Sequence, residues 1–204
     1  MSYEFTIETA RLARKAGLKN CIISAGFINP QPMEELCSYI DAANIDLKVF
    51  DDSIYKKLNK ASLFPILETL KMLKQKNIWL EITNLLIPEW TDNLETVKKM
   101  CDWLIENRFE ETPLHFSRFF PRNKLLNINA TSEDLLINAR EIAIQAGIKY
   151  VYVGNIKGNH NLENTYCPNC KNLLLHRHDF SSTFTDFSHG KCVRCGTSIR
   201  GVWQ

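Results

Sequence analysis

The sequence predicts an α/β fold: a parallel sheet, open or curled into a barrel, followed by a small C-terminal zinc ribbon. Three observations predict it. From residue 2 to about 153, amphipathic helical patterns alternate with short apolar runs. The segment AGLKNCII at 16–23 returns as AGIKYVYV at 146–153, repeating one helix end, glycine turn and strand start. Two CxxC pairs stand near the C-terminus. The expected division is residues 1–156 for the α/β part and 164–204 for the ribbon.

The elements follow in order. A helix over 2–16 presents Phe5, Thr9, Leu12, Ala13 and Ala16 on one side, and Gly17 ends it. A strand at 20–25 precedes a helix that begins near Pro32 and covers MEELCSYI, then a strand at 44–49. Ser62 is a candidate cap for a helix burying Leu63, Ile66, Leu67, Leu70 and Leu73, and WLEITNLLI from Trp79 is extended. A helix over 92–107, with Leu94, Val97, Cys101, Leu104 and Ile105 inward, leads into LHFSRF. After a long polar loop, Thr131 and Asp134 have capping-box spacing ahead of a helix with Leu135, Ile142, Ala143 and Ala146, and KYVYVG is the fifth strand. The chain opens in a helix with no strand before it, and five strands do not close an eight-stranded barrel. Either the sheet is open with a leading helix or the first part of a larger fold is missing.

Charge names no ligand. With 25 basic and 23 acidic residues and no run of either sign, neither nucleic acid nor a membrane surface is expected as a partner. No apolar run approaches the roughly 20 residues that span a bilayer, and the expected location is cytoplasmic. Phosphate-loop, HExxH and nucleophile-elbow patterns are absent from the sequence.

The strand ANIDLKVF at 43–50 carries two charges. Alternation sends Ile45, Leu47 and Val49 to the helix side and Asn44, Asp46 and Lys48 to the other. Asp46 and Lys48 can form a structural ion pair, or together hold a ligand that bears an amine or hydroxyls and a carboxylate. Polar residues gather at the same edge: Ser24 and Gly26 close the first strand, Glu81 and Thr83 share a face of the third, and His115 and Ser117 share a face of the fourth. A one-residue slip in the third strand would put Leu80 and Ile82 on that face and make Asn84 the polar contact.

The seven cysteines divide in two. Cys21, Cys37 and Cys101 stand among apolar neighbours and read as small core residues. Cys167-x2-Cys170 and Cys192-x2-Cys195 supply four soft ligands to one point, the donor set zinc takes at structural sites. So small a segment cannot build a large core, so the metal is expected to fold it and the tail IRGVW to staple it to the first domain.

SAGF at 24–27, NIDLKVF at 44–50, ITNLLIPEWTDN at 82–93, HFSRFFP at 115–121, KYVYVGNI at 149–156 and NTYCPNCKNLLL at 164–175 resemble the radical SAM proteins of the AmmeMemoRadiSam system, relatives of the pyruvate formate-lyase activating enzymes. The resemblance implies a partial β/α barrel that binds S-adenosylmethionine beside a 4Fe-4S cluster and cleaves it reductively to a 5′-deoxyadenosyl radical, which takes hydrogen from a partner protein or substrate. It implies that Asp46 and Lys48 orient the methionine part or position the radical step and that His115 lies by the adenosyl group, so Lys48 and His115 are the catalytic candidates. Ser24 and Gly26 stand where the family has a TNG-like turn, and Asn84 joins the cofactor contacts. Phe120 replaces a family histidine.

The family's CxxxCxxC is absent from these 204 residues. The resemblance therefore implies a C-terminal portion of such an enzyme, catalytically incomplete by itself, with a protein carrying the cluster segment as its partner. Two other classes stay open: a non-catalytic remnant or scaffold that binds a partner through the zinc ribbon, and a cluster-independent enzyme using Asp46, Lys48 and His115 in acid-base work.

Overall fold

The computed structural model describes residues 2–156, 160–178 and 181–203. Five parallel strands form the main sheet in the order β1-β2-β3-β4-β5, which is also their order in the chain. They are β1 (Cys21–Ser24), β2 (Ala42–Asp46), β3 (Trp79–Leu86), β4 (Leu114–Arg118) and β5 (Val151–Gly154). Right-handed crossovers that always step in the same direction put every helix on one face of a sheet. The other face is left as a hollow, and the predicted α/β fold with its parallel sheet is what the chain adopts.

Helix α1 (Tyr3–Lys15) is capped by Ser2, whose side chain accepts from the Phe5 N–H, and Gly17 ends it at φ 80°. Its buried face is not the predicted one. Ala10 is buried, and Tyr3 packs inward while donating its hydroxyl to Glu35 at 2.7 Å, but Phe5 and Leu12 are 64% and 57% exposed.

Helix α2 (Pro30–Cys37) starts two residues before Pro32, with proline in its first turn where a missing N–H costs nothing. After β2 comes a one-turn helix, α3 (Asp52–Ile54), that widens into a π turn at Tyr55–Asn59. Asp52 then accepts the N–H of Leu63 at 2.9 Å, so it caps α4 (Leu63–Gln75) in place of Ser62, whose side chain makes no capping bond. Ile66, Leu70 and Leu73 of α4 are fully buried, as the pattern required. Asn93 caps α5 (Leu94–Glu106), which buries Val97, Met100, Cys101 and Leu104.

The predicted capping box before α6 (Glu133–Ala146) does not form. Ser132 caps the helix, and the buried Thr131 instead donates to the Leu86 carbonyl at 2.6 Å and accepts from the Phe119 N–H at 2.9 Å, tying the β4–α6 loop to the end of β3. One continuous core joins the helix layer to Ala43 and Ile45 of β2, to Leu47 and Val49 just beyond it, and to the matching residues of the other strands. Among the described residues no helix is long and apolar enough to cross a membrane.

Residues 164–203 form short antiparallel pieces: β6 (Thr165–Tyr166), β7 (Leu173–His178) and β8 (Ser181–Phe184) in one sheet, β9 (Phe187–Ser188) and β10 (Lys191–Cys192) in another. The anticipated boundary partly falls on 157–159, and these residues, like Asp179 and Phe180, lie outside the described residues. Tyr150, just before β5, is buried in a small second core with Cys167, Leu174, Cys192 and Ile199. Its hydroxyl accepts the Arg200 N–H at 3.1 Å, so the tail is stapled to the main sheet as expected.

Candidate functional site

Strand register builds the site. Asp46 pairs with Thr83, Thr83 with His115 and His115 with Tyr152, which makes one row across four strands. Their neighbours Ile45, Ile82, Leu114 and Val151 are buried toward the helices, so alternation turns the row into the hollow. With strands about 4.8 Å apart, the backbones of Asp46 and His115 are about 10 Å apart.

At one end Lys48 donates to Asp46 at 2.7 Å, with both side chains about a third exposed. The strand itself ends at Asp46, but Tyr55 fixes the residues just beyond it: its hydroxyl donates to the Asp46 carbonyl at 3.3 Å and accepts the Lys48 N–H at 3.1 Å. In the middle Thr83 donates to the Asn44 amide oxygen at 2.8 Å.

At the other end His115 Nε2 lies 2.8 Å from Glu81 Oε2, and Trp79 Nε1 donates to the second Glu81 oxygen at 3.2 Å. Burial alone would push the Glu81 carboxyl up. The hydrogen bond and charge of His115, the Trp79 N–H and the charge of Arg177 outweigh it and hold Glu81 below the ordinary value. Tyr152 stacks on His115 with centroids 5.1 Å apart.

A cavity of about 980 Å³ opens over this end. Its wall includes Asn44, Glu81, Thr83, His115 and Tyr152 from the sheet, and Arg177 and Trp203 from the cysteine-bearing segment. Asp46 and Lys48 are not part of that wall and stand beside it, near β1, where Ile23 on the hollow side is 80% exposed.

Three expected contacts do not join the row. Asn84 faces the helix layer: it is buried, donates to the Leu47 and Lys48 carbonyls at 2.7 and 3.2 Å, and touches Met100 of α5. Parity explains it, since Glu81 and Thr83 hold the hollow positions of β3. Ser24 pairs with the buried Ile45 and accepts the Gly26 N–H at 3.1 Å, which uses it inside the turn. Gly26 has φ 70°, and a Cβ there would stand 2.8 Å from Ile45 Cγ2, so close packing accounts for the glycine. Tyr152 and Arg177 were not anticipated. The alternation in KYVYVG signals Tyr152, whereas no local pattern signals Arg177.

Cys167, Cys170, Cys192 and Cys195 form a metal-binding group, with all four sulfurs within 4.8 Å of one another. Cys167 and Cys195 are 3.5 Å apart and Cys170 and Cys192 3.6 Å, close to the edge of about 3.8 Å in a tetrahedron of sulfurs 2.3 Å from a central ion. The two knuckles match: the N–H of Lys171 returns to the Cys167 carbonyl and that of Gly196 to the Cys192 carbonyl, with φ 60° and 73° at those residues. Thr197, through its hydroxyl and N–H, draws the Cys195 thiol down to about 6. Cys170, against the N–H of Asn172, is pushed up to about 12 by burial and by bonding to the other three sulfurs. Four thiols this close cannot all ionise by themselves, and a bound cation lets them.

The remaining cysteines do not fit a second metal. Cys21 is exposed, contrary to its reading as core, while Cys37 and Cys101 are buried in the helix layer. Burial raises both of those thiols, Cys101 to about 12, which keeps them protonated. Among the described residues no three-cysteine site stands beside Asp46.

Fold and site define a one-sided parallel α/β sheet with a polar row in its hollow and a metal-binding cysteine module over one end. The sequence pattern of the radical SAM superfamily matches residues 1–104, and the chain belongs to that superfamily. It is 43% identical over 199 residues to the uncharacterized protein MJ0808 of Methanocaldococcus jannaschii, an alignment covering 97% of this chain and 59% of that protein. It is 28% identical over 102 residues to the pyruvate formate-lyase 1-activating enzyme of Escherichia coli, covering 49% of this chain and 42% of the enzyme. The chain thus spans about half the length of these relatives. A domain of the pyruvate formate-lyase-activating enzyme from Bacteroides vulgatus has the same fold, with TM-score 0.62, 14% identity, and coverage of 75% of this chain and 91% of that one.

Proposed function

We propose that this chain is the S-adenosylmethionine-binding part of a radical SAM protein of the glycyl-radical-enzyme activase type. The observation that carries the reading is the inward row Asp46, Thr83, His115 and Tyr152, with Lys48 beside it. The amino acid end of S-adenosylmethionine carries an ammonium and a carboxylate, which suit Asp46 and Lys48. His115, held by Glu81 and stacked on Tyr152, offers a ring face and a ring nitrogen for the adenosyl group about 10 Å along the row.

When bound, an iron–sulfur cluster supplies the electron that breaks the sulfonium bond. Cys21, Cys37 and Cys101 do not fit a cluster site, so the ligands are proposed to come from a further polypeptide segment, in the same protein or a partner, as the uncovered length of the relatives supports. A protein is the proposed target of the radical, in line with the name of the Escherichia coli relative. Zinc is the proposed ion of the four-cysteine module, acting as a structural brace.

The test is equilibrium binding of S-adenosylmethionine to the metal-loaded chain by calorimetry. Binding is expected, and Lys48→Met and His115→Ala are each expected to weaken it at least tenfold. Equal affinity in both variants and the wild type would overturn the assignment. A second reading, a scaffold that binds a partner through the ribbon, is favoured by the cluster of Phe184, Phe187 and Trp203, in which Phe184 is 54% exposed. It predicts no binding of S-adenosylmethionine in the wild type.

A further inference from the structure

Tyr152 and His115 stand on the open face of the sheet, and the groups that reach over them come from the cysteine-bearing segment. Arg177 on β7 lies over the Tyr152 ring, 5.2 Å from its centroid. The same guanidinium donates to the Glu163 carbonyl at 2.7 Å and the Thr165 hydroxyl at 2.8 Å. The Tyr152 hydroxyl is also bonded to Thr165, at 3.0 Å. The ring against which His115 stacks is therefore held at its hydroxyl and over its π system by one small module.

That module has little apolar material of its own. Of the five buried residues in its core, Tyr150 comes from the α/β part, just before β5, and two are the cysteines Cys167 and Cys192. Thr165 lies two residues before Cys167, and the Cys167 N–H bonds to the Asn172 carbonyl at 2.8 Å just before β7 begins. The strands carrying Thr165 and Arg177 are thus anchored at the metal site, and a domain of this kind folds on its metal.

We propose that the four-cysteine module is part of the inner site rather than an appendage. Arg177 is a positioning residue that fixes Tyr152, Tyr152 fixes the His115 imidazole against Glu81, and the metal holds Arg177 in reach. Metal occupancy then decides whether the outer wall of the cavity exists and whether His115 is oriented. The functional meaning rests on the reading of His115 as a ligand contact; the linkage itself needs no ligand.

The experiment is nuclear magnetic resonance of the histidine ring protons in the full, zinc-loaded chain, with the His115 signals assigned by loss in His115→Gln. Stacking on Tyr152 is expected to shift them upfield. Stripping the metal with a chelator is expected to remove that shift and zinc to restore it. Arg177→Ala is expected to reduce it in the zinc-loaded protein, Arg177→Lys to reduce it less, and Thr183→Ala, on the exposed strand β8, to leave it unchanged. Should the chelated chain unfold altogether, the zinc-loaded Arg177→Ala spectrum decides. Unaltered His115 signals in that variant, or in a stripped but folded chain, overturn the proposal. Loss of the linkage with S-adenosylmethionine binding intact refutes this proposal alone, and the reverse outcome refutes only the ligand reading.

Discussion

Asn84→Ala tests whether this residue belongs to the framework or to a cofactor contact. Its amide donates to the Leu47 carbonyl at 2.7 Å and the Lys48 carbonyl at 3.2 Å, and so holds the segment that carries the Asp46–Lys48 pair. Leaving the Leu47 carbonyl without this donor in a fully buried position costs about 1–3 kcal/mol, and the longer bond adds about 0.5–1 kcal/mol. The Asn84 Oδ1 is itself buried without a partner among the described residues, so its removal offsets part of that. A net loss of about 2–3 kcal/mol is expected, read as a lower urea midpoint with unchanged slope. Asn84→Asp is expected to be at least as damaging, because an isosteric carboxylate cannot donate and adds a buried charge. A loss below about 1 kcal/mol accompanied by weakened S-adenosylmethionine binding would refute the framework argument.

Gly26→Ala combines a left-handed backbone with a 2.8 Å approach to Ile45 Cγ2 and should cost about 2–5 kcal/mol in urea unfolding. Ile45→Ala in the same chain relieves the overlap, so the double variant should be more stable than the sum of the single losses. In the knuckles, Gly196 has φ 73° and open space where a Cβ would stand, so Gly196→Ala should cost only the conformational term of about 1–2 kcal/mol. Lys171→Gly at the equivalent place should gain about 0.5–1 kcal/mol in thermal unfolding of the zinc-loaded chain. Glu81 has a depressed carboxyl in the folded state, so its contribution to stability is complete above the unfolded value of about 4.3 and fades as pH falls through the lower folded value. Glu81→Gln should accordingly flatten the stability profile between about pH 5 and pH 3, measured by urea midpoints.

Much of the fold was legible in the sequence because periodicity reports burial. Strand β2 and the residues just after it offer Ile45, Leu47 and Val49 against Asp46 and Lys48, and only one side of a helix-covered sheet accepts each set. Strand β3 is harder, since Leu80 and Ile82 suit one face while Asn84 could be taken for either. Its parity is fixed by Met100 of α5 and by Thr83 bonding to Asn44, contacts made across the chain. Caps failed for the same reason: Asp52 reaches Leu63 from 11 residues upstream, and Thr131 is drawn off by Leu86, 45 residues away. The cysteine group was readable because four ligands at knuckle spacing need little else. Arg177 was not, because its importance arises only when the module folds over Tyr152.

The Asp46–Lys48 pair has two physical explanations, and exchanging the charges separates them. Both side chains are about a third exposed, and such a pair contributes about 0–1 kcal/mol to stability. Asp46→Lys with Lys48→Asp keeps one cation and one anion two residues apart at the end of β2. If the pair serves only to neutralise itself, the exchanged protein should match the wild type in every measurement. A zwitterionic ligand distinguishes the ends, because its ammonium seeks Asp46 and its carboxylate Lys48, while its adenosyl group must still extend toward His115. Reversal sets like charge against like at both ends, so the exchanged chain should unfold at the wild-type urea concentration yet bind S-adenosylmethionine at least tenfold more weakly by calorimetry. Unchanged affinity would mean that the polarity of this corner is irrelevant, and the amino acid end of the ligand would have to be held elsewhere in the hollow.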